Sequence, residues 1–219
     1  MGKIAAVFGA TGLVGSELVS QLINNEAYHK IVIFNRRTQN YESPKIKEII
    51  LEDQDFINTE LELTADDLFC CVGTTKKKAG ARINYERVDV GIPVWLAKTA
   101  KKNGIEKLLI ISSVGANRKS RTFYLHTKGY MEQAVLKYKS QGVYFFRPSL
   151  LLGNRNEPRY AEMLGQKLMQ LSGFLMIGKL KKYKAIPASV VAKAMQKVAK
   201  ENYTKHFFES NELWDLAKK

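Results

Sequence analysis

Histidine and cysteine are almost missing from this chain: its 219 residues hold three of the first and two of the second. That scarcity narrows the chemistry at once. The cysteines, Cys70 and Cys71, are neighbours in the apolar run "DLFCCVG". Adjacent side chains of a strand point to opposite faces, so the two cannot readily bridge, and no CxxC offers a redox or zinc motif. They read as buried free thiols. His29 and His206 flank strand-like segments without partners at metal-ligand spacing, so no metal site is expected. No apolar run approaches the roughly 20 residues of a membrane span. The N-terminus opens on the strand-like "KIAAVFGA" without a signal-peptide pattern. A cytoplasmic location without membrane association is the expectation.

Acid is the other shortage. Against 35 lysines and arginines stand 21 aspartates and glutamates, a formal net charge of +14. Such an excess favours anionic partners: a phosphorylated cofactor, an acidic metabolite, nucleic acid or an acidic protein surface. Many of the lysines fall in "LAKTAKKNG" and "VAKAMQKVAK", helix-like stretches that expose them on a solvated face. The interleaved bases and aromatics of a single-strand reader are not there, nor is zinc-finger or basic-zipper spacing. Nucleic acid is therefore not the expected partner.

What the chain does have is alternation. "KIAAVFG", "KIVIFN", "IKEIILE", "DLFCCVG", "KLLIISS" and "VYFFRPS" read as buried parallel strands, with helical patterns between them at Ser16 to Asn24, Val94 to Lys102 and Leu125 to Lys139. This predicts an α/β fold, a Rossmann-like doubly wound parallel sheet joined by right-handed crossovers. With 45% hydrophobic residues and no linker or repeat, residues 1–219 form one domain. After Pro148 the pattern changes, and residues from about 149 to 219 are expected to add a small cap on the substrate side.

The glycines of "VFGATGLVGSEL" follow a strand and open a helix. In that setting the first glycine, Gly9, allows a tight turn, Gly12 lets backbone approach a phosphate, and Gly15 allows close helix packing. A pyrophosphate would sit on the free amides of the helix N-terminus. About 20 residues on, an acid would accept from a ribose and favour NAD. Here stand Asn35, Arg36 and Arg37, and a guanidinium pairs with a 2′-phosphate that a carboxylate would repel. NADP(H) is the preferred cofactor, with NAD(H) the alternative. Asp53 sits where an adenine amino group could find an acceptor, or caps a short helix. Gly73 and Thr74 end the fourth strand at the ligand-binding edge of the sheet. Lys76, Lys77 and Lys78 after them face phosphates or form a solvated loop.

Strand five ends in "IISSVGA"; Tyr124 follows Ser113 by eleven residues, and Lys128 follows Tyr124 by four. Tyrosine and lysine at that spacing share one helix face. A nearby ammonium lowers the cost of a phenolate, so the tyrosine can exchange a proton with a carbonyl or alcohol oxygen that the serine holds. His126, two residues from each, faces away. Tyr160 borders the expected substrate pocket or belongs to the core.

"GATGLVG", "SSVGA" and "YLHTK" resemble the atypical short-chain dehydrogenase/reductase superfamily. "CCVGTTKKKAG", "FFRPSLLLGNRNE" and "IPASVVAKAM" narrow the likeness to the NADPH-binding oxidoreductase-like family of the human Tat-interacting protein. The similarity runs over nearly the whole chain. It implies a Ser-Tyr-Lys triad of Ser113, Tyr124 and Lys128, with Ser112 the alternative serine. Gly9, Thr11, Gly12, Leu13 and Val14 would lie at the pyrophosphate, and Asn35, Arg36 and Arg37 at the adenosine ribose and its 2′-phosphate. Gly73 and Thr74 would lie beside the cofactor, and Pro148 near the nicotinamide. Asn84 is a loose match to an asparagine of the superfamily and takes no catalytic role. The implied activity is hydride transfer to or from a small carbonyl or alcohol substrate. Two alternatives stand beside it: an NADPH-binding redox sensor that engages a protein partner with little turnover, and a nucleotide-sugar epimerase-like enzyme, disfavoured by the short C-terminal segment.

Overall fold

The computed structural model describes residues 2–51, 57, 59–138, 142–153 and 178–218. Six strands read from the sequence are present: β1 (Lys3–Phe8), β2 (Tyr28–Asn35), β3 (Ile46–Ile50), β4 (Asp67–Cys70), β5 (Lys107–Ile111) and β6 (Gly142–Arg147). A two-residue pair, β7 (Leu151–Leu152) with β8 (Ile186–Pro187), stands apart, and β9 (Phe207–Glu209) follows. The main sheet has seven parallel strands in the order β3-β2-β1-β4-β5-β6-β9. Strands buried on both faces need no alternation, which is why "AAVF" and "IVIF" run unbroken in apolar residues.

Helices cover both faces. On one lie α1 (Leu13–Ile23), α6 (Ala188–Lys200) and α7 (Ser210–Lys218), which bury Leu18, Leu22, Val191, Met195 and Leu213. On the other, α4 (Ile92–Lys102) and α5 (Phe123–Leu136) bury Trp95, Leu96, Met131 and Val135. α4 stops at Asn103–Gly104, where the Ile105 amide reaches back to the Ala100 carbonyl at 2.9 Å. Two short helices, α2 (Lys76–Ala79) and α3 (Arg82–Glu86), precede a single π turn at Arg87–Gly91 that runs into α4. The lysine run, read as facing phosphates or as a solvated loop, forms a turn of helix capped by the Thr75 hydroxyl. Among the described residues no helix is long and apolar enough to cross a membrane.

The segment after Pro148 contributes to the sheet itself. β9 continues the sheet beyond β6, with Phe207 stacked on Phe145 at 5.2 Å and Phe208 on Phe146 at 5.6 Å. α6 packs on α1, and Gln21 joins them through the Ser189 carbonyl (3.0 Å) and Gln196 (2.8 Å). At the N-terminal edge of the sheet Asp67 is fully buried. It accepts from the Tyr28 hydroxyl (2.6 Å) and the Lys3 ammonium (3.0 Å), while its other oxygen has no hydrogen-bond partner among the described residues. Lys107 beside it donates to the carbonyls of Ala199 (2.9 Å) and Glu201 (2.8 Å).

Candidate functional site

The strand order reverses between β1 and β4, and their carboxyl ends open a crevice there. The glycine turn forms its floor. Gly9 has φ of 82°, and a Cβ on it would lie 2.6 Å from the Cys71 carbonyl carbon. A Cβ on Gly15 would lie 2.0 Å from the Gly9 oxygen. Only glycines let β1, β4 and α1 converge this closely. Gly12 caps α1 with no side-chain hydrogen bond, and the first turn carries no acid. The leading amides of the helix and its positive dipole end are therefore left for an anion. Thr11 is exposed there, Leu13 is half-buried, and Val14 turns its side chain into the core.

On the next loop the sequence-predicted residues divide. Asn35 is buried and donates to Glu48 at 2.6 Å, whereas Arg36 and Arg37 lie exposed on the rim. Glu48, on β3, also accepts from the Thr38 hydroxyl (2.7 Å) and the Gln39 amide (3.1 Å). It pins the loop that carries the two arginines. Partial burial disfavours the Glu48 carboxylate, but the donors from Thr38, Asn35 and Gln39 outweigh it and hold its pKa below the ordinary value. Asp53 and Tyr160 lie outside the described residues.

Across the crevice, Tyr124 and Lys128 sit one turn apart on α5, the phenol 42% exposed and the lysine buried. The Lys128 ammonium contacts Asp89 Oδ1 at 2.8 Å, and Asp89 Oδ2 accepts the Thr74 amide at 2.9 Å. Burial works against the ammonium, but Asp89 and Tyr124 outweigh it and raise the Lys128 pKa above the ordinary range. Gly73 borders the same carboxylate; a Cβ added there would lie 3.9 Å from Asp89 Oδ1. Tyr85, one turn before Asp89, is buried against Phe123 at 5.2 Å, and its hydroxyl has no hydrogen-bond partner among the described residues. Burial pushes the Cys70 thiol beneath up to about 12, so it carries no thiolate near neutral pH.

The two serines differ in their commitments. Ser112 donates at 2.6 Å to buried Glu132, which Arg147 grips through Nε (2.8 Å) and a terminal nitrogen (2.7 Å); Arg147 also reaches Glu209 at 2.9 Å. Ser112 is therefore part of a closed network. Ser113 makes one long contact, 3.3 Å to the Val114 carbonyl. Pro148 is buried beside it, its carbonyl accepting from the Val114 amide at 3.0 Å. Asn84 turns away to the Ala79 carbonyl at 3.1 Å. Sequence reading missed Asp89 and Glu48; their signal was a lone acid inside an apolar stretch, "RVDVG" and "IKEII".

A protein-family model described as the NAD dependent epimerase/dehydratase family matches residues 5–183. "Protein FMP52-1, mitochondrial" of Scheffersomyces stipitis is 30% identical over 98% of this chain and 99% of its own. "Protein HTATIP2" of Rattus norvegicus is 32% identical over 88% of this chain and 79% of its own. The fold matches the ADP-L-glycero-D-manno-heptose-6-epimerase of Helicobacter pylori with a TM-score of 0.70 at 18% identity, covering 99% of this chain and 81% of that one. The expected cytoplasmic location is corrected by these relatives, because the FMP52-1 match is named as a mitochondrial protein. A secretory pattern and a mitochondrial one are different signals, so the first does not bear on the second. The glycine turn at the switch point, the seven-stranded parallel sheet and the family match lead to one conclusion: the chain belongs to the NAD dependent epimerase/dehydratase family, on the dinucleotide-binding fold of the atypical short-chain dehydrogenases/reductases.

Proposed function

We propose that the protein is an oxidoreductase that prefers NADP(H) and exchanges hydride with a small carbonyl or alcohol substrate. The observation that carries this reading is the exposed Tyr124 phenol set one turn from the buried, charge-paired Lys128, with the lightly committed Ser113 on the neighbouring strand end. The turn of Gly9, Gly12 and Gly15 fits a pyrophosphate, since the N-terminus of α1 that it opens has no side-chain cap and no acid in its first turn. Thr11, Leu13 and Val14 would continue that contact. The exposed Arg36 and Arg37 suit a 2′-phosphate, and Asn35 holds their loop through Glu48. Gly73 and Thr74 would lie beside the cofactor and Pro148 near its nicotinamide. When bound, the cofactor supplies or accepts the hydride. Tyr124 gives the proton to the carbonyl oxygen, Lys128 stabilises the resulting phenolate, and Ser113 orients that oxygen. The mitochondrial name of the FMP52-1 relative supports a mitochondrial compartment.

The test combines calorimetry with turnover. NADPH should bind more tightly than NADH, and Arg36→Asp should weaken NADPH far more than NADH. Tyr124→Phe should cut turnover about 10²–10⁴-fold, the contribution of a positioned proton donor, while leaving cofactor affinity intact. Equal loss of both cofactors on Arg36→Asp would refute the assignment of the arginine. Undiminished turnover in Tyr124→Phe would refute the assignment of the tyrosine.

A further inference from the structure

Two helical ladders face each other across the crevice wall. Tyr124 and Lys128 form one, four residues apart on α5; Tyr85 and Asp89 form the other, at the same spacing through α3 and the π turn. One rung between them is the 2.8 Å pair of Lys128 and Asp89, with side chains only 5% and 1% exposed. Beside it the Tyr85 ring packs against Phe123, the chain neighbour of Tyr124 on α5. The carboxylate spends one oxygen on the lysine and the other on the Thr74 amide of the crevice loop.

We propose that Asp89 is a positioning residue: it is the counter-ion that keeps the buried Lys128 charged, and it ties that charge to the Gly73–Thr74 loop. The inference rests on the reading of Tyr124 and Lys128 as the proton-transfer pair. A lone ammonium at this depth would shed its proton rather than stay charged without hydration. A neutral amine would do nothing for a phenolate at Tyr124. Among the described residues, the groups acting on Lys128 from other elements are Asp89 from the π turn, Tyr85 from α3 and Cys70 from β4, and Tyr124 faces it on its own helix. Tyr85 and Cys70 are both pushed up by burial and remain neutral near pH 7. Lys76 and Arg82, stacked over Phe123, bear the same sign as the lysine and cannot compensate it. Among the described residues, Asp89 is left to hold the charge. Because its second oxygen is bound by the loop amide, the carboxylate that sets the lysine also sets the backbone beside the cofactor bed.

The experiment labels the lysine ε-carbons with ¹³C and follows Lys128 by NMR across pH, with its signal assigned by its absence in Lys128→Met. In the wild type Lys128 should stay charged past the ordinary lysine value of about 10.4. In Asp89→Asn, which keeps the shape and loses the charge, it should titrate at least ~2 pH units lower than in the wild type. Turnover of Asp89→Asn should fall as pH rises through that lower midpoint and recover on acidification. Damage that was merely structural would depress turnover equally at every pH. Asp89→Glu should return the wild-type lysine titration. An unchanged Lys128 midpoint in Asp89→Asn overturns the proposal. Should that variant not fold, a wild-type midpoint at or below the ordinary value overturns it equally. The titration needs no substrate, so a wild type that turns over nothing would count against the reductase reading while the lysine measurement judged Asp89 by itself.

Discussion

Replacing each serine of the pair at the end of β5 by alanine separates support from chemistry. Ser112 donates 2.6 Å to a carboxylate in a closed network with Arg147, in a region that is almost entirely buried. A hydrogen bond to a charged group contributes about 1.5–3 kcal/mol. Arg147 keeps its two bonds to Glu132 in the variant, so the carboxylate is not orphaned and the cost should stay near ~2 kcal/mol. For a domain of this size that lowers Tm by about 4–8 °C. The folded fraction should turn over at close to the wild-type rate. Ser113→Ala gives up only a 3.3 Å contact to a neighbouring carbonyl, so Tm should move by less than about 2 °C. Its turnover should drop about 10²–10³-fold, the usual penalty for removing one donor aimed at a developing oxyanion. Thermal melts and steady-state kinetics with NADPH on both variants decide the matter. The reverse pattern, with Ser112→Ala inactive and stable and Ser113→Ala active, would show that the network serine does the chemistry.

Two further perturbations test the scaffold around the site. Gly15→Ala places a Cβ 2.0 Å from the Gly9 oxygen, a backbone atom that cannot swing aside. It should cost about 3 kcal/mol and abolish dinucleotide binding by calorimetry even where a melt shows folded protein; retained affinity would mean that the turn relaxes without loss. Asp67 is the second. Burial raises its pKa above the ordinary carboxylate value despite Tyr28 and Lys3. A raised carboxyl binds its proton more tightly when folded than when unfolded. The penalty is thus complete above the raised native pKa and disappears as pH falls below the unfolded value of about 3.9. Asp67→Asn, a stand-in for the protonated form, should raise Tm at pH 7 and flatten the pH dependence in that window; a lowered Tm would show that the Lys3 pair outweighs desolvation.

The parts of this protein that local sequence encodes are the ones that were legible. The glycine turn is a steric demand of three neighbouring positions, and the unbroken apolar strands follow from burial on two faces; both are written in adjacent residues of the chain. β9 was not legible as a sheet strand, because three residues carry too little pattern and their partner β6 lies some sixty positions earlier. Nor was Asp89. Asn84 is only a loose match to the superfamily's asparagine and takes no catalytic role. Asp89 lies within the π turn at Arg87–Gly91 and pairs with buried Lys128 at 2.8 Å, while Asn84 points back at Ala79. A π turn leaves no compositional signature, and a lone aspartate between two valines was the trace of it in the sequence. Burying that acid is tolerable only opposite a cation. The cation opposite it is the lysine of "YLHTK", which the sequence itself singled out, so the missed residue and the recognised one explain each other.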